Sequence, residues 1–169
     1  MLKNMRKRIC IFISMVFLVT TLAACGGTND DVKCLDIVNS CKNVVEDGTF
    51  DTSSGYGEDL YDGNFDTLYG VQFDMIDDGA ISYTSEGGVA DEISIIHLKK
   101  SEDVSLAKTK MQDRITERTN TFSQYKPEES YKLENAIVMA QGNYVALIVS
   151  EQPDVIETEI RRVISEGVK

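Results

Sequence analysis

One segment of the sequence has the spacing of a metal-binding loop. Asp62-Gly63-Asn64-Phe65-Asp66 places carboxylate and amide oxygens at alternate positions, as the first three ligands of a calcium loop require. The match then ends, because Thr67 stands where the sharp-turn glycine belongs and Phe73 where the bidentate glutamate belongs. We therefore predict a solvated turn and no metal site, with weak calcium-dependent adhesion as the alternative.

Cysteine and histidine are the other side chains with obvious chemistry. Cys34 and Cys41 are seven residues apart, which on a helix separates them by about 10 Å along the axis. Two Cα atoms more than roughly 7 Å apart cannot be bridged, so we predict two buried free thiols. His97 is the single histidine, and its place near a predicted strand end favours a packed or surface side chain over a ligand or base.

The signatures of common enzyme classes are missing from the sequence. It contains no G-x-S-x-G, H-E-x-x-H, C-x-x-C or G-x-x-x-x-G-K, and Gly55-Tyr56-Gly57 lacks the third glycine of a dinucleotide loop. One histidine leaves little from which to build a triad. We predict a non-catalytic protein without a cofactor. Hydrolysis by a pair of carboxylates is the enzymatic alternative, since only geometry could identify such a pair.

The first 24 residues are organised like a secretory leader. Four basic residues among the first eight precede an uncharged apolar run of 13 residues, Ile9 to Thr21. A membrane-spanning helix needs about 20 residues, so a permanent transmembrane segment is the poorer interpretation. The next four residues, Leu22, Ala23, Ala24 and Cys25, resemble the lipobox of bacterial lipoproteins.

The resemblance to lipoproteins implies that Cys25 becomes the first mature residue and carries a diacylglyceryl thioether. Two or three acyl chains would hold the protein durably, since each buried methylene contributes about 0.8 kcal/mol and one chain binds only marginally. We expect a signal peptide over residues 1–24, a lipidated cysteine and short tether over 25–30, and a single domain over 31–166 on the extracytoplasmic face of the cell membrane. Free secretion after ordinary cleavage is the alternative.

Charge narrows the choice of partners. Cleavage would remove four of 17 basic residues and none of 28 acidic ones, which leaves a formal charge of −15. Nucleic acid and anionic lipid surfaces repel such a domain. We therefore expect membrane contact through the lipid on Cys25 alone and no nucleic-acid partner.

Apolar periodicity predicts one helix ahead of the sheet. Between about Asp31 and Asp47 the residues at helical spacing are Cys34, Ile37, Val38, Cys41, Val44 and Val45. Asp30 or Asp31 is expected to cap this helix. From Thr49 to Gly79 we expect loops with one or two helical turns over residues 58–69, and we interpret Asp74, Asp77 and Asp78 as turn residues.

From Ala80 onward the pattern predicts two strand hairpins, each followed by a helix. The first joins Ile81–Thr84 to Glu92–Leu98, and the second joins Asn135–Ala140 to Tyr144–Val149, an apolar strand expected at the centre of the sheet. A helix capped by Ser101 is expected to follow the first hairpin and to end near Thr119 or Thr121, before a connection around Pro127. Its buried residues are Val104, Ala107, Met111, Ile115 and Phe122, and Arg114 and Arg118 lie on more polar faces. The last helix begins at Pro153, pairs Glu157 with Arg161 and buries Ile156, Ile160, Val163 and Ile164. The predicted fold class is α+β: an N-terminal helix, then two β-β-α units forming an antiparallel sheet with helices packed on it.

Several segments follow one another in a distinctive order between roughly Ile81 and Ile164. They are Ala90-Asp91-Glu92-Ile93-Ser94-Ile95, the amphipathic helix that follows, Tyr125 with Pro127, Leu133-Glu134-Asn135-Ala136 and Gly142-Asn143-Tyr144-Val145. Together they resemble a family of small Gram-positive lipoproteins whose domain has no assigned function. The resemblance implies export and an α+β fold, and it transfers no site residues.

The function predicted from these observations is a membrane-anchored, non-catalytic module that binds a protein, peptide or envelope component. A small solute-binding lipoprotein that feeds a transporter is the alternative from another class. The short mature chain, 145 residues, has no obvious two-lobed organisation to favour it.

Overall fold

The computed structural model describes residues 29–46, 49–58 and 69–168. Within them, four helices are α1 (Cys34–Lys42), α2 (Val104–Tyr125), α3 (Pro127–Glu134) and α4 (Pro153–Glu166). Five strands are β1 (Thr52–Gly55), β2 (Ile76–Tyr83), β3 (Glu92–Leu98), β4 (Ile137–Gln141) and β5 (Tyr144–Val149), with 3₁₀ turns at Phe73–Met75 and Ser101–Asp103. The lipobox, Leu22 to Cys25, and the calcium-like segment Asp62–Asp66 lie outside the described residues.

The strands form one antiparallel sheet in the order β1-β2-β3-β5-β4. Hairpins β2-β3 and β4-β5 join through β3 and β5, and a helix follows each hairpin, which confirms the predicted α+β arrangement. All residues of β5 are buried, as its continuous apolar run predicts for a central strand.

Helices cover both faces of the sheet because its central strands are apolar on both sides. Side chains alternate along a strand, so Ile93 and Ile95 face the core under α1 and α4, while Ile96 and Leu98 face the core under α2 and α3. The predicted buried residues of α4, Ile156, Ile160, Val163 and Ile164, all lie in the first core. The expected outer pair is also present, with Arg161 Nη2 2.6 Å from Glu157 Oε1.

Helix α1 is shorter than its apolar periodicity predicts, and the hydrogen-bond acceptor for its first backbone N–H comes from a strand. Lys33 is the N-cap and makes no side-chain cap bond, so the expectation that Asp30 or Asp31 caps the helix is wrong. The Cys34 N–H instead donates to Asp78 Oδ2 at 2.8 Å. The helix ends at Lys42, which leaves Val44 exposed beyond it.

The segment interpreted as loops and turns contributes two strands. β1 pairs with β2, and β2 begins at Ile76, so Asp77 and Asp78 lie in a strand beside a bulge and not in a turn. Thr52-Ser53-Ser54-Gly55 has no apolar alternation. It is an edge strand that polar groups join to β2: Ser53 Oγ lies 2.8 Å from Ser82 Oγ, and Ser82 Oγ donates to the Thr52 carbonyl at 2.8 Å.

Helix α2 runs to Tyr125, beyond the expected end at Thr119 or Thr121. The Thr119 hydroxyl donates to the Ile115 carbonyl at 2.8 Å, and the next turn buries Phe122. Ser101 begins a 3₁₀ turn and is not the cap of α2, whose N-cap is Asp103. The connection around Pro127 is the helix α3, with Pro127 in its first turn, so β4 begins at Ile137 and not at Asn135.

Cys34 and Cys41 are free and buried, as their spacing predicts. Burial raises the pKa of both thiols, that of Cys41 to about 12 with the Glu159 carboxylate adding to the effect. Since the thiolate is the reactive form, both should resist alkylation in the native protein at pH 8 and react fully after denaturation without reductant. Peptide mass spectrometry checks this. A Cys34 and Cys41 pair that reacts only after reduction would contradict it.

Candidate functional site

The charged groups that hold α2 onto the sheet converge on one buried carboxylate. Glu92 begins β3, and its side chain is 5% exposed. Arg114 binds it through two hydrogen bonds, Nε to Oε1 at 2.7 Å and Nη2 to Oε2 at 2.5 Å. Arg118 Nη1 donates to Oε2 at 2.9 Å, and the Tyr69 hydroxyl donates to Oε1 at 2.5 Å. We call these four residues the Glu92 cluster.

Electrostatics keep Glu92 ionised despite its burial. Burial alone raises the pKa of a carboxyl group, but the hydrogen bonds and charge of Arg114, with the charge of Arg118, outweigh burial and lower the pKa of Glu92. Burial and the Glu92 charge raise the pKa of Tyr69, so its phenol stays protonated and donates. With two guanidinium groups and one carboxylate, the cluster carries one net positive charge.

A second cluster begins at the neighbouring residue. Lys132 Nζ on α3 lies 2.8 Å from Asp91 Oδ2 and 3.0 Å from Glu129 Oε2. Burial raises the pKa of Asp91 although Lys132 opposes the shift, whereas the two carboxylates raise the pKa of Lys132 against its burial. This Asp91 cluster, of Asp91, Glu129 and Lys132, holds two carboxylates and one ammonium and so carries one net negative charge.

Two hollows open beside the two clusters. One, of about 180 Å³, is lined by Tyr69, Tyr83, Glu92, Arg114 and Arg118 among others, and we call it the arginine hollow. The other, of about 240 Å³, is lined by Glu46, Lys132, Ser150 and Glu151 among others, and we call it the lysine hollow. Thr84, Val89 and Asp91 line both. Together the two hollows form the charged cleft.

The loop between β2 and β3 reaches the junction of α2 and α3 through a glycine. Gly88 has φ +90°, and a Cβ on it would lie 2.9 Å from Lys126 Cε and 3.3 Å from the Tyr125 hydroxyl. Only glycine tolerates both this conformation and this approach. The loop carries Val89 and Ala90 to the cleft, where the Ala90 N–H donates to Glu129 Oε2 at 2.9 Å.

Two arginines of the cleft lie deeper than the sequence predicts, and no sequence pattern identified the cleft itself. Arg114 and Arg118 were expected on more polar faces of α2, but only 15% and 17% of their side chains are exposed. A usable signal was present, because both are in step with the buried Phe122 at four-residue spacing, the separation that stacks side chains on one helix face. Glu92 likewise shares its strand face with Ile96 and Leu98.

His97 lies away from the charged cleft. It is 8% exposed, and its ring centroid is 4.5 Å from that of Tyr144, so of the two expected placements, packed or at the surface, His97 has the packed one. Nδ1 is 3.4 Å from Asp77 Oδ2, and Nε2 is 4.0 Å from Asp30 Oδ1.

A third and larger hollow, of about 490 Å³, lies beside α1 and is lined by Asp36, Glu58, Asp77 and Asp78 among others. Its acidic side chains are largely exposed to solvent. Two of them accept hydrogen bonds from the backbone, Asp78 from the Cys34 N–H and Glu58 from the Gly55 N–H. No group of three or more potential metal-ligating side chains occurs in the part of the chain that the structure describes. None of the described helices has both the length and the apolar character to cross a membrane.

Replacing the buried carboxylate tests the Glu92 cluster. Glu92→Gln leaves two largely buried guanidinium groups without their counter-charge, and breaking a buried pair from one side costs about 3–5 kcal/mol. The free energy of unfolding, measured with urea at pH 7, should fall by that amount. Glu157→Gln is the matched control, since its partner Arg161 is half-exposed and such pairs are worth less than about 1 kcal/mol.

The same variant should change the dependence of stability on pH. The pKa of Glu92 is lower in the folded protein than in the unfolded chain, where a glutamate has a pKa of about 4.3. Its ionisation therefore contributes stability that is fully present above that value and is lost as pH falls through the folded pKa. Glu92→Gln should lose this part of the acid-side slope. Unfolding curves that shift with pH as in the wild type would contradict it.

Most of the chain that carries the two clusters matches a known protein family. A family model described as Domain of unknown function (DUF4358) matches residues 54–150, a range that holds every member of the Glu92 and Asp91 clusters. No curated protein and no solved structure matches the chain. The match spans more than half of the sequence, and the chain belongs to the DUF4358 family, whose domain has no assigned function.

Proposed function

We propose that this protein is a lipoprotein anchored on the extracytoplasmic face of the cell membrane, and that it binds a protein, peptide or other envelope component without catalysis. The observation that carries the binding role is the charged cleft, whose charges are held in place before any ligand arrives. Sites fixed by packing and by surrounding hydrogen bonds lose less free energy on binding.

The state of the cleft residues supports binding over catalysis. Both oxygens of Glu92 already accept hydrogen bonds, and its lowered pKa keeps it ionised, so it is poorly suited to act as acid, base or nucleophile. Lys132 has a raised pKa and stays an ammonium. Among the buried carboxylate oxygens of the described residues, only Asp91 Oδ1 lacks a hydrogen-bond partner, whereas glycoside hydrolysis needs a pair of carboxyl groups.

The anchor rests on the leader and on the lipobox Leu22 to Cys25. The described chain begins at Asn29, whose N–H donates to the Ile164 carbonyl at 2.9 Å. Four Cα steps separate Cys25 from Asn29, and they can span at most about 14 Å. A lipid on Cys25 would therefore hold the α4 end of the domain close to the membrane surface.

A small solute-binding lipoprotein is the second candidate. The two hollows, of about 180 and 240 Å³, are smaller than the roughly 300 Å³ at which sites for drug-sized ligands begin. They suit a small molecule or the end of a chain.

Removing the thiol tests the anchor. Cys25→Ser should move the protein from the membrane pellet to the soluble fraction or leave an uncleaved precursor, because no thioether can form. Cys10→Ser, within the expected leader, is the matched control and should fractionate as wild type. The N-terminal peptide of the wild-type protein should carry a diacylglyceryl mass. A Cys25→Ser protein that is processed and pellets as wild type would rule out the lipid anchor.

Site-specific crosslinking in intact cells tests the binding role. A photoreactive amino acid at Val89, in the wall shared by the two hollows, should yield a discrete crosslinked species. The same probe at Val155, which is 42% exposed on α4, should not. Equal crosslinking from both positions would show that the charged cleft is not the binding surface.

A further inference from the structure

We infer that the charged cleft recognises a carboxylate together with a nitrogen donor one carbon away, the chemistry shared by a free α-amino acid and by the C-terminal residue of a peptide. The inference rests on the proposed binding function and names the class of ligand.

The carboxylate would bind at Arg118. Its guanidinium lines the arginine hollow, and Nη1 holds Glu92 Oε2 at 2.9 Å. Among the described residues, that is the one hydrogen bond that Arg118 makes, and its remaining contact is with the Phe122 ring, 5.2 Å from Cζ to the centroid. Nε and Nη2 therefore retain donors in the planar fork that suits a carboxylate. Arg114, in contrast, is committed to both oxygens of Glu92.

The positive charge at Arg118 is not cancelled within the Glu92 cluster. The Glu92 cluster has one more cation than anion, although the chain as a whole carries a formal charge of −11. A bound carboxylate would balance the cluster in a partly buried setting, where charge pairs are screened less than at the surface. The excess charge thus favours one negative group at this point.

The nitrogen donor would bind at Asp91. Its side chain is 5% exposed, and Oδ2 accepts from Lys132 at 2.8 Å. Oδ1 is buried and has no hydrogen-bond partner among the described residues. A buried oxygen without a hydrogen-bond partner is costly, and the cost is greater for a charged group. Asp91 lines both hollows, so a ligand in either can reach toward it.

The two clusters together select a ligand with both groups. The Glu92 cluster has a net charge of +1 and the Asp91 cluster a net charge of −1, and their central carboxylates belong to consecutive residues. A simple anion would be repelled by Asp91, and a simple cation would be repelled by Arg118. Either ion alone therefore pairs with only one of the two clusters. Complementary charges on both sides of a ligand give specificity. The small hollows restrict it to one residue or a chain end.

Binding measurements with matched probes separate the sources of this chemistry. The full-length protein in detergent is titrated calorimetrically with pools of free α-amino acids, their N-acetyl derivatives, their α-amides and the corresponding carboxylic acids that lack nitrogen. A site for free amino acids binds only the first pool. A site for peptide C-termini also binds the N-acetyl forms. In either case amidation or loss of nitrogen should weaken binding about tenfold or more. No heat from any pool, or amides that bind as well as acids, would overturn the inference.

Variants then assign the carboxylate contact. Arg118→Gln should weaken binding of the best probe about tenfold or more, and Arg118→Lys should restore part of it, since the charge returns without the fork. Arg161→Gln, at the half-exposed pair on α4, is the control and should bind as wild type. Arg118→Gln keeps both Arg114 bonds to Glu92, so it should fold, which a thermal melt checks. Unchanged affinity in folded Arg118→Gln would overturn the inference.

These results are distinguishable from failure of the proposed function. Crosslinking from Val89 that persists in Arg118→Gln, together with no binding of any probe, would leave a binding module with another kind of ligand. Recovery of a probe as a converted product by mass spectrometry would overturn the non-catalytic role while supporting the recognition of this ligand class.

Discussion

The structure depends on a carboxylate that is buried where water cannot solvate it. An ionised group is stable in that position only if cations and hydrogen-bond donors surround it. Glu92 obtains them from α2 and from Tyr69, through four hydrogen bonds to its two oxygens. Because Arg114 and Arg118 are one turn apart, this contact sets both the rotation and the lengthwise position of α2 on the sheet.

The charged cleft exists because the side chains of residues 91 and 92 contact different helices. Glu92 faces α2, while Asp91 is held by Lys132 of α3. Two adjacent acids are thereby paired with cations from different helices, and the two clusters keep opposite net charges. Gly88 allows the preceding loop to close against the α2–α3 junction. The same contacts that stabilise the helices on the sheet thus shape the proposed recognition surface.

The family match includes the residues that make these contacts, but it assigns them no chemical role. The family domain covers residues 54–150, which include the β2-β3 hairpin, α2, α3 and the β4-β5 hairpin. Helices α1 and α4 lie outside that range, and they cover the opposite face of the sheet. The proposed anchor would adjoin this second face through Asn29, so attachment there would leave α2 and α3, which build the cleft, on the other face.

Local patterns in the sequence determined the two hairpins, β5 as a buried interior strand, α4 and the free thiols, because periodicity and spacing report on residues that are close in the chain. Tertiary structure alone decided the rest. β1 has no apolar alternation and exists through its pairing with β2, and Asp78 serves the N-terminus of α1 across 44 residues. Arg114 reaches Glu92 across 22 residues. A charged side chain looks solvent-exposed in sequence, and only the folded chain shows that its counter-charge lies beside it in the interior.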